Sequence, residues 1–199
     1  MAKKRSPTDA YYIAFGQFIN HYARAESTVH LLFWHCTGLA EHATARAIAA
    51  EANIKTVIKW TRTLAGNFPP EKSDEIKAVL NHLEQIGELR NALVHRGAEI
   101  KGDAIESVNL MMARTEEGIQ IIRLNIQDIK NASDDLVRVV VRLGVVMYPP
   151  LLEIVSAPVK QALRAPWRYK RSEPEFPYRK KNPPGLSKEK PPGKPPILH

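Results

Sequence analysis

Residues 73–97, SDEIKAVLNHLEQIGELRNALVHRG, carry the clearest helical pattern in the chain. Apolar side chains recur there every three or four positions, as the buried face of an α-helix requires: Ile76, Val79, Leu80, Leu83, Ile86, Leu89 and Leu93. Ser73, followed by two acidic residues, suits a helix N-terminus, and Gly97 suits the position just past a C-terminus. The stretch predicts one long helix that buries a single face against other helices.

Upstream of this helix, three further segments have helical character. We predict a helix over residues 8–37, with Thr8 as its N-cap and Gly38 just past its end. Two shorter helices are predicted over the alanine-rich residues 41–51 and over residues 54–65. Four helices therefore precede Gly97 in the predicted fold.

Downstream, the apolar period changes from that of a helix to that of strands. Residues 105–112 and 119–124 are rich in β-prone side chains and are separated by Thr115-Glu116-Glu117-Gly118, which predicts a β-hairpin. Residues 125–148 return to helical spacing and stop at Pro149-Pro150, because proline does not continue a helix. The predicted fold is mainly α, a bundle of about five helices with a β-hairpin before the last one.

Composition indicates one soluble globular domain with an appendage. Of 199 residues, 44% are hydrophobic and 25% are charged, which is enough apolar material for a core. The single cysteine, Cys36, excludes an intramolecular disulfide framework, so we expect the reducing cytoplasm. Charges and two prolines interrupt the longest apolar region, residues 136–155, and no apolar signal follows the basic residues 1–5. We therefore expect neither a membrane span nor export.

Net charge separates the body of the chain from its C-terminus. Residues 156–199 contain 11 Lys and Arg against three Glu, together with ten of the 15 prolines, and they account for the whole net charge of +8. We predict three regions: a disordered N-terminus over residues 1–7, a helical domain over residues 8–155, and an extended or disordered basic tail over residues 156–199.

Aromatic and basic residues alternate in this tail, a mixture that can stack on bases and neutralise phosphates. The candidate RNA-binding residues are Arg164, Trp167, Arg168, Lys170, Arg171, Arg179, Lys180 and Lys181. Two other interpretations stay open. The tail is either a solubilising segment without a specific partner, or a proline-rich ligand for a partner protein.

The chain contains no glycine-rich phosphate loop, nucleophile elbow, zinc-protease helix or EF-hand loop. We therefore predict no metal and no cofactor. One cluster has a distinct chemical character: Arg90-Asn91-Ala92-Leu93-Val94-His95-Arg96-Gly97 places a guanidinium, an amide and an imidazole within two turns at the end of the helix.

Spacing alone leaves two interpretations of this cluster open. Arg90 and His95 are about 140° apart around an ideal helix, so they would converge only on a partner or substrate lying across the helix end. In the simpler interpretation, His95 only ends the helix and Arg90 pairs with one of three carboxylates: those of Glu26, Glu84 and Glu88.

Arg90-Asn91-x-x-x-His95 resembles the R-x4-6-H motif of HEPN domains, all-helical bundles found in prokaryotic toxins, antiphage systems and RNA-processing factors. Residues 15–26, FGQFINHYARAE, are similar to the first helix of many members, which carries a glutamate near the position of Glu26. The resemblance covers residues 8–148 and leaves the tail outside.

The resemblance implies a homodimer whose motif helices face each other across a cleft that cuts RNA without a metal. Arg90 would hold the scissile phosphate, His95 would act as general acid or base, Asn91 would orient either group, and Glu26 would be a fourth member. The expected products are a 2′,3′-cyclic phosphate and a 5′-hydroxyl. Some members carry a tyrosine two residues past the histidine, where this chain has Gly97, so regulation through that tyrosine is not expected.

The intact Arg, Asn and His trio favours a toxin- or defence-related endoribonuclease, with RNA, a second copy of the chain and a cognate antitoxin or complex partner as expected partners. Two hypotheses from other classes remain. The first is a noncatalytic HEPN-like module for dimerisation or for binding nucleotide or RNA within a larger complex. The second is a plain scaffold whose tail binds a partner.

Overall fold

The computed structural model describes residues 6–38, 43–102 and 104–178. These residues form seven α-helices and one small antiparallel sheet, and none of the helices has the length and apolar character to cross a membrane. The helices are α1 Pro7–Thr37, α2 Ala43–Glu51, α3 Ile54–Leu64, α4 Pro70–His95, α5 Ile126–Met147, α6 Leu151–Ile154 and α7 Ala157–Arg164. The strands are β1 Glu99–Lys101, β2 Ala104–Val108 and β3 Ile121–Asn125. The predicted mainly α fold is confirmed, and a hairpin precedes α5. The predicted number of about five helices is too low, because the short helices α6 and α7 follow α5, so the hairpin does not precede the last helix.

Helix α1 begins slightly earlier than predicted. Ser6 is its N-cap, because the Ser6 hydroxyl oxygen accepts a hydrogen bond from the backbone N–H of Asp9 at 3.1 Å. Pro7 occupies the first turn, where its missing N–H has no helical partner to lose. The predicted cap at Thr8 is therefore wrong. Gly38 follows the helix with a φ of +66°, a left-handed conformation that glycine adopts without strain, as predicted.

Helix α4 begins at Pro70, ahead of the predicted start at Ser73. Pro69 is its N-cap and Pro70 lies in the first turn, while Ser73 is buried inside the helix and its backbone N–H donates to the Pro69 carbonyl at 2.9 Å. The predicted start is wrong because proline has a φ already suited to the first helical turn. The predicted apolar stripe is confirmed, since all of its members are buried: Ile76, Val79, Leu80, Leu83, Ile86, Leu89 and Leu93.

The core lies between four helices. Helix α1 packs along α5 and α3, and α4 packs against α5 and α3. The largest fully buried side chains include Phe18, Leu32, Ile58, Leu80, Leu83, Leu136 and Leu143. Each such side chain stabilises the fold by about 1.5–3 kcal/mol through the burial of apolar surface. This packing brings the C-terminal half of α4 against α1.

Strands β2 and β3 pair antiparallel and confirm the predicted hairpin. Strand β2 ends at Val108, so the predicted strand over residues 105–112 is too long. The Asn109 side chain closes the loop instead, because its Oδ1 accepts from the backbone N–H of Gln120 at 2.6 Å and its amide donates to the Gly118 carbonyl at 3.2 Å. Strand β1, which the sequence pattern did not predict, extends the sheet along β2.

The prediction of an extended or disordered tail from residue 156 is wrong for residues 157–164, which form a helix, whereas residues 165–178 are extended but packed. Helix α7 follows Ser156, and the segment over residues 165–178, here called the strap, packs on the body. Tyr169 is only 4% exposed, and Ile121 and Glu175 exchange backbone hydrogen bonds at 2.9 Å. Aromatic side chains with partners on α4 and α5 account for this packing. Residues 1–5 and 179–199 of the predicted disordered regions lie outside the described residues.

Candidate active site at the end of helix α4

The predicted cluster of Arg90, Asn91 and His95 comes together at the C-terminal end of α4 within one chain, so the expectation that Arg90 and His95 converge only on a partner or substrate is wrong. Arg90 Nη1 donates a hydrogen bond to Asn91 Oδ1 at 3.0 Å and lies 3.4 Å from His95 Nε2. A guanidinium can only donate, so Nε2 accepts in this contact when the neutral imidazole carries its proton on Nδ1. His95 is exposed, whereas Arg90 and Asn91 are half-buried. An imidazole nitrogen and a permanent positive charge therefore lie side by side at the surface.

Helix α1 adds two side chains to this cluster. The Arg90 guanidinium carbon lies 5.8 Å from the centroid of the Tyr22 ring. Burial raises the pKa of the Glu26 carboxyl, and the positive charge of Arg90 partly opposes this rise. Burial also raises the pKa of Tyr22 to about 12, with a further contribution from Glu26. Arg90 thus interacts electrostatically with both residues of α1.

Gly87 permits the close approach of α1 to α4. A Cβ atom at Gly87 would lie 2.8 Å from Tyr22 Oη, which is closer than van der Waals contact allows. Any larger residue would displace Tyr22 from the face of α4 on which Arg90 lies one turn later. No pattern in the sequence indicated this position, because the contact depends on how α1 and α4 pack.

The ion pair that the simpler interpretation predicted for Arg90 is not formed with either glutamate of α4. Glu84 pairs with Arg62 at 2.6 Å, and Glu88 pairs with Arg171 at 3.1 Å. Among the residues that the structure describes, no carboxylate oxygen lies within ion-pair distance of Arg90. The prediction of a pair with Glu84 or Glu88 is therefore wrong, and Arg90 keeps hydrogen-bond donors available for a ligand.

The cluster opens onto two cavities. One, of about 300 Å³, lies between α1, α3 and α4 and is lined by Tyr22, Glu26 and Arg90 among others. His95 lines the other, of about 470 Å³, together with the exposed turn over residues 110–112. Volumes of this size are typical of small-ligand sites. The predicted site residues therefore border open space.

Trp167, predicted to stack on RNA bases, packs within the protein. Its ring stacks on His82 with centroids 4.2 Å apart. The guanidinium carbons of Arg138 and Arg142 lie 4.7 and 4.6 Å from the centroid of the tryptophan ring. These contacts attach the strap to α4 and α5, and the role of Trp167 in RNA binding stays a prediction.

The basic tail residues are spread over several surfaces. Arg168 pairs with Asp134 at 2.7 Å, and the partner of Arg171 is Glu88. Lys170 is exposed, and Arg164 lines a separate cavity of about 480 Å³ between α5 and α7. The remaining three candidates lie outside the described residues: Arg179, Lys180 and Lys181.

A second polar cluster surrounds Asp135 of α5, which has no exposed surface. Its carboxylate accepts hydrogen bonds from His82 Nε2 at 3.0 Å and Arg138 Nη1 at 2.8 Å, and from the backbone N–H groups of Arg168 and Tyr169, both at 2.8 Å. Burial raises the pKa of Asp135, but these hydrogen bonds and the neighbouring positive charges lower it on balance. The cluster ties the strap to the helices.

Two further cations lie beside the site, and the sequence analysis gave neither of them a role. Arg96, within the predicted cluster, follows His95 directly, and its buried Nη1 has no hydrogen-bond partner among the described residues. Lys55 of α3 lines the same cavity as Arg90. Only the packing of α3 brings Lys55 to the site.

Residues 6–38, 43–102 and 104–178 contain no group of three or more His, Cys, Asp or Glu side chains that could hold a metal ion. Comparison of the chain with protein-family models, with curated proteins and with solved structures found no match. The geometry of the cluster and the resemblance of its motif to that of HEPN domains are therefore the two indications of function.

Proposed function

We propose that the protein is a HEPN-type endoribonuclease, toxin- or defence-related, that cleaves RNA through its own 2′-hydroxyl group without a metal. One observation carries the proposal. An available guanidinium, that of Arg90, lies 3.4 Å from the proton-accepting nitrogen of an exposed histidine, His95. RNA cleavage of this type needs a positive charge at the phosphate and a group that moves a proton beside it.

In the proposed reaction, His95 Nε2 accepts the proton of the ribose 2′-hydroxyl as that oxygen attacks the neighbouring phosphorus. The bond between phosphorus and the 5′-oxygen breaks, and the leaving oxygen takes a proton from a second acid, His95 of another copy. Arg90 moves from the imidazole to the non-bridging phosphate oxygens, where its planar donors match two acceptors. The products are a 2′,3′-cyclic phosphate and a 5′-hydroxyl.

The neighbours of Arg90 position it in this scheme. Asn91 Oδ1 accepts from Arg90 Nη1 at 3.0 Å and restrains the guanidinium. The Tyr22 ring supports the same guanidinium from α1. Glu26 adds a half-buried acidic group whose raised pKa results mainly from burial. These three residues therefore act as positioning residues.

A second copy of the chain is part of the proposal, because one His95 does not supply both the base and the acid. Three exposed apolar residues lie in the turn beside His95, and their exposed fractions are 64% for Leu110, 99% for Met111 and 65% for Met112. Contiguous exposed apolar side chains are typical of protein interfaces. They support a homodimer in which the ends of two α4 helices face each other.

The test is cleavage of a single-stranded RNA by purified protein in the presence of EDTA. We expect wild-type cleavage with cyclic-phosphate ends, and a decrease of about 10²- to 10⁴-fold in rate for His95→Ala and for Arg90→Ala. Lys72→Ala, an exposed position in the first turn of the same helix, is the control and should cleave at the wild-type rate.

Light scattering and circular dichroism should show the same mass and helicity for all four proteins. Full activity in both His95→Ala and Arg90→Ala would reject the site. Binding of RNA without cleavage by the wild type would instead favour the noncatalytic HEPN-like binding module.

A further inference from the structure

Arg96 differs from the other partly buried arginines in having no partner. Arg62 and Arg138 each leave one nitrogen, Nε, without an acceptor, but another nitrogen of each donates to a carboxylate. The Arg96 guanidinium makes no hydrogen bond or ion pair with any residue that the structure describes, and its Nη1 is buried. A buried charged donor is costly unless an acceptor reaches it, so this guanidinium is suited to a ligand from outside the chain.

Arg96 lines a cavity of about 270 Å³ between α4 and the strap. Lys55 of α3 and Arg171 of the strap contribute the other two cations of its lining. The single carboxylate in the lining is Glu88, which already pairs with Arg171 at 3.1 Å. Lys55 has no ion-pair partner among the described residues, so Arg96 and Lys55 leave the cavity with two positive charges that nothing neutralises.

The chemistry of this lining selects an anion with several acceptor oxygens. Phosphate suits a guanidinium fork and an ammonium group together, because it accepts two hydrogen bonds from the first and a charge-assisted one from the second. Gln120 and Asn91 add amide groups to the same lining. A phosphate group is therefore the ligand that best satisfies the cavity.

This cavity adjoins the candidate active site. Lys55 and Asn91 line both it and the cavity of Arg90, and Arg96 also lines the cavity of His95. A strand with one phosphate at Arg90 therefore has a second cationic cavity beside it. The position suits a neighbouring phosphate of the same strand better than a separate small molecule.

We propose that Arg96 and Lys55 bind a backbone phosphate of RNA adjacent to the one that is cleaved. The identity of the strand as RNA rests on the proposed function, whereas the phosphate site rests on the cavity. Arg96 and Lys55 are binding residues in this scheme, because proton transfer is assigned to His95. Replacing either residue should therefore weaken substrate binding and have a smaller effect on the rate of the chemical step.

The experiment measures binding of a fluorescent single-stranded oligodeoxynucleotide, which lacks the 2′-hydroxyl and is not cleaved. Fluorescence anisotropy at several salt concentrations compares the wild type with Arg96→Gln, Lys55→Gln and the control Lys72→Gln. We expect about tenfold weaker binding for Arg96→Gln and a smaller loss for Lys55→Gln, with the log–log salt slope less steep by about 0.7 for each lost phosphate contact. Lys55 is exposed, so Lys55→Gln tests the site even if Arg96→Gln fails to fold.

Affinities of Arg96→Gln and Lys55→Gln equal to that of Lys72→Gln would overturn the proposal. A nucleoside 5′-monophosphate serves as the second probe. If it binds as tightly as the oligonucleotide does, and if Arg96→Gln weakens its binding to the same extent, the cavity is a site for a free nucleotide and the RNA site is overturned. If wild-type protein does not cleave RNA but Arg96→Gln still binds the oligonucleotide more weakly, the phosphate site stands and the nuclease proposal fails. If the wild type cleaves RNA but both variants bind the oligonucleotide as tightly as the wild type does, the nuclease proposal stands and the phosphate site fails.

Discussion

Helix α4 carries two clusters built from the same types of side chain, and they differ in whether a carboxylate neutralises their positive charge. At His82, the imidazole donates to a buried carboxylate, that of Asp135, which accepts three other hydrogen bonds as well. At His95, the nearby guanidinium of Arg90 has no carboxylate within ion-pair distance in the described chain. The first arrangement stabilises the fold, and the second leaves charge available to a ligand.

The difference arises from what covers each part of the helix. Helix α5 and the strap enclose His82, and the strap supplies two backbone N–H groups to the shared carboxylate. The end of α4 at Arg90 meets α1 on one side and open cavities on others. Residue type alone therefore does not distinguish a structural cluster from a functional one, but the presence or absence of a carboxylate partner for the cationic side chain does.

Removing the carboxylate of the buried cluster is expected to give the largest loss of stability. Asp135→Ala leaves His82 and Arg138 without their shared acceptor, and we expect a loss of about 3–5 kcal/mol in the free energy of unfolding. Arg90→Ala should lose about 1 kcal/mol or less, since its contacts are partly exposed. Urea unfolding followed by circular dichroism measures both values, and equal losses would contradict the distinction between the two clusters.

The pH dependence of Asp135→Asn provides the control. The pKa of Asp135 is lowered in the folded protein, so its stabilising effect is present above the unfolded value of about 3.9 and is lost as the pH falls through the folded value. The difference in unfolding free energy between wild type and Asp135→Asn should therefore decrease between about pH 5 and pH 2. A difference that stays constant over this range would show that the carboxylate charge is not the stabilising feature.

An intermediate effect is expected where the strap meets the body. Trp167→Ala removes a half-buried ring that contacts His82, Arg138 and Arg142, and we expect a loss of about 2 kcal/mol, below the range for fully buried tryptophan. Tyr178→Ala, at a position 57% exposed, should change the unfolding free energy by less than about 0.5 kcal/mol. Thermal or urea unfolding measures both, and equal stabilities would mean that the strap does not hold to the helices.

The smallest effect is expected at the glycine between the two clusters. Gly87→Ala gains helix propensity but forces a Cβ toward Tyr22 Oη, and we expect a net loss of about 1 kcal/mol. Gly16→Ala, inside α1 with no atom near the added Cβ, should instead stabilise the protein by up to about 1 kcal/mol. Urea unfolding compares the two variants. A gain in stability for both would show that α1 and α4 can separate at Tyr22 without cost.

Local patterns were sufficient for the long elements of the fold. The apolar stripe of α4 and the hairpin follow from periods of about four and two residues, which depend on near neighbours in sequence. Two boundaries differ from their predicted positions. Helix α4 starts at Pro70 because proline suits the first turn, and β2 ends at Val108 because the Asn109 side chain closes the loop after it. Helix α7 was missed because its flanking prolines and basic residues resemble those of a disordered tail.

The sequence by itself determined the buried apolar stripe of α4 and that Arg90, Asn91 and His95 share one helix end, because helical periodicity sets both. Only the tertiary structure decided that Arg90 lacks an ion-pair partner, since Glu84 and Glu88 bind arginines from α3 and the strap. The tertiary structure also placed Lys55 beside Arg96. Ion pairing depends on distances between segments far apart in the chain, and periodicity within one helix contains no information about them.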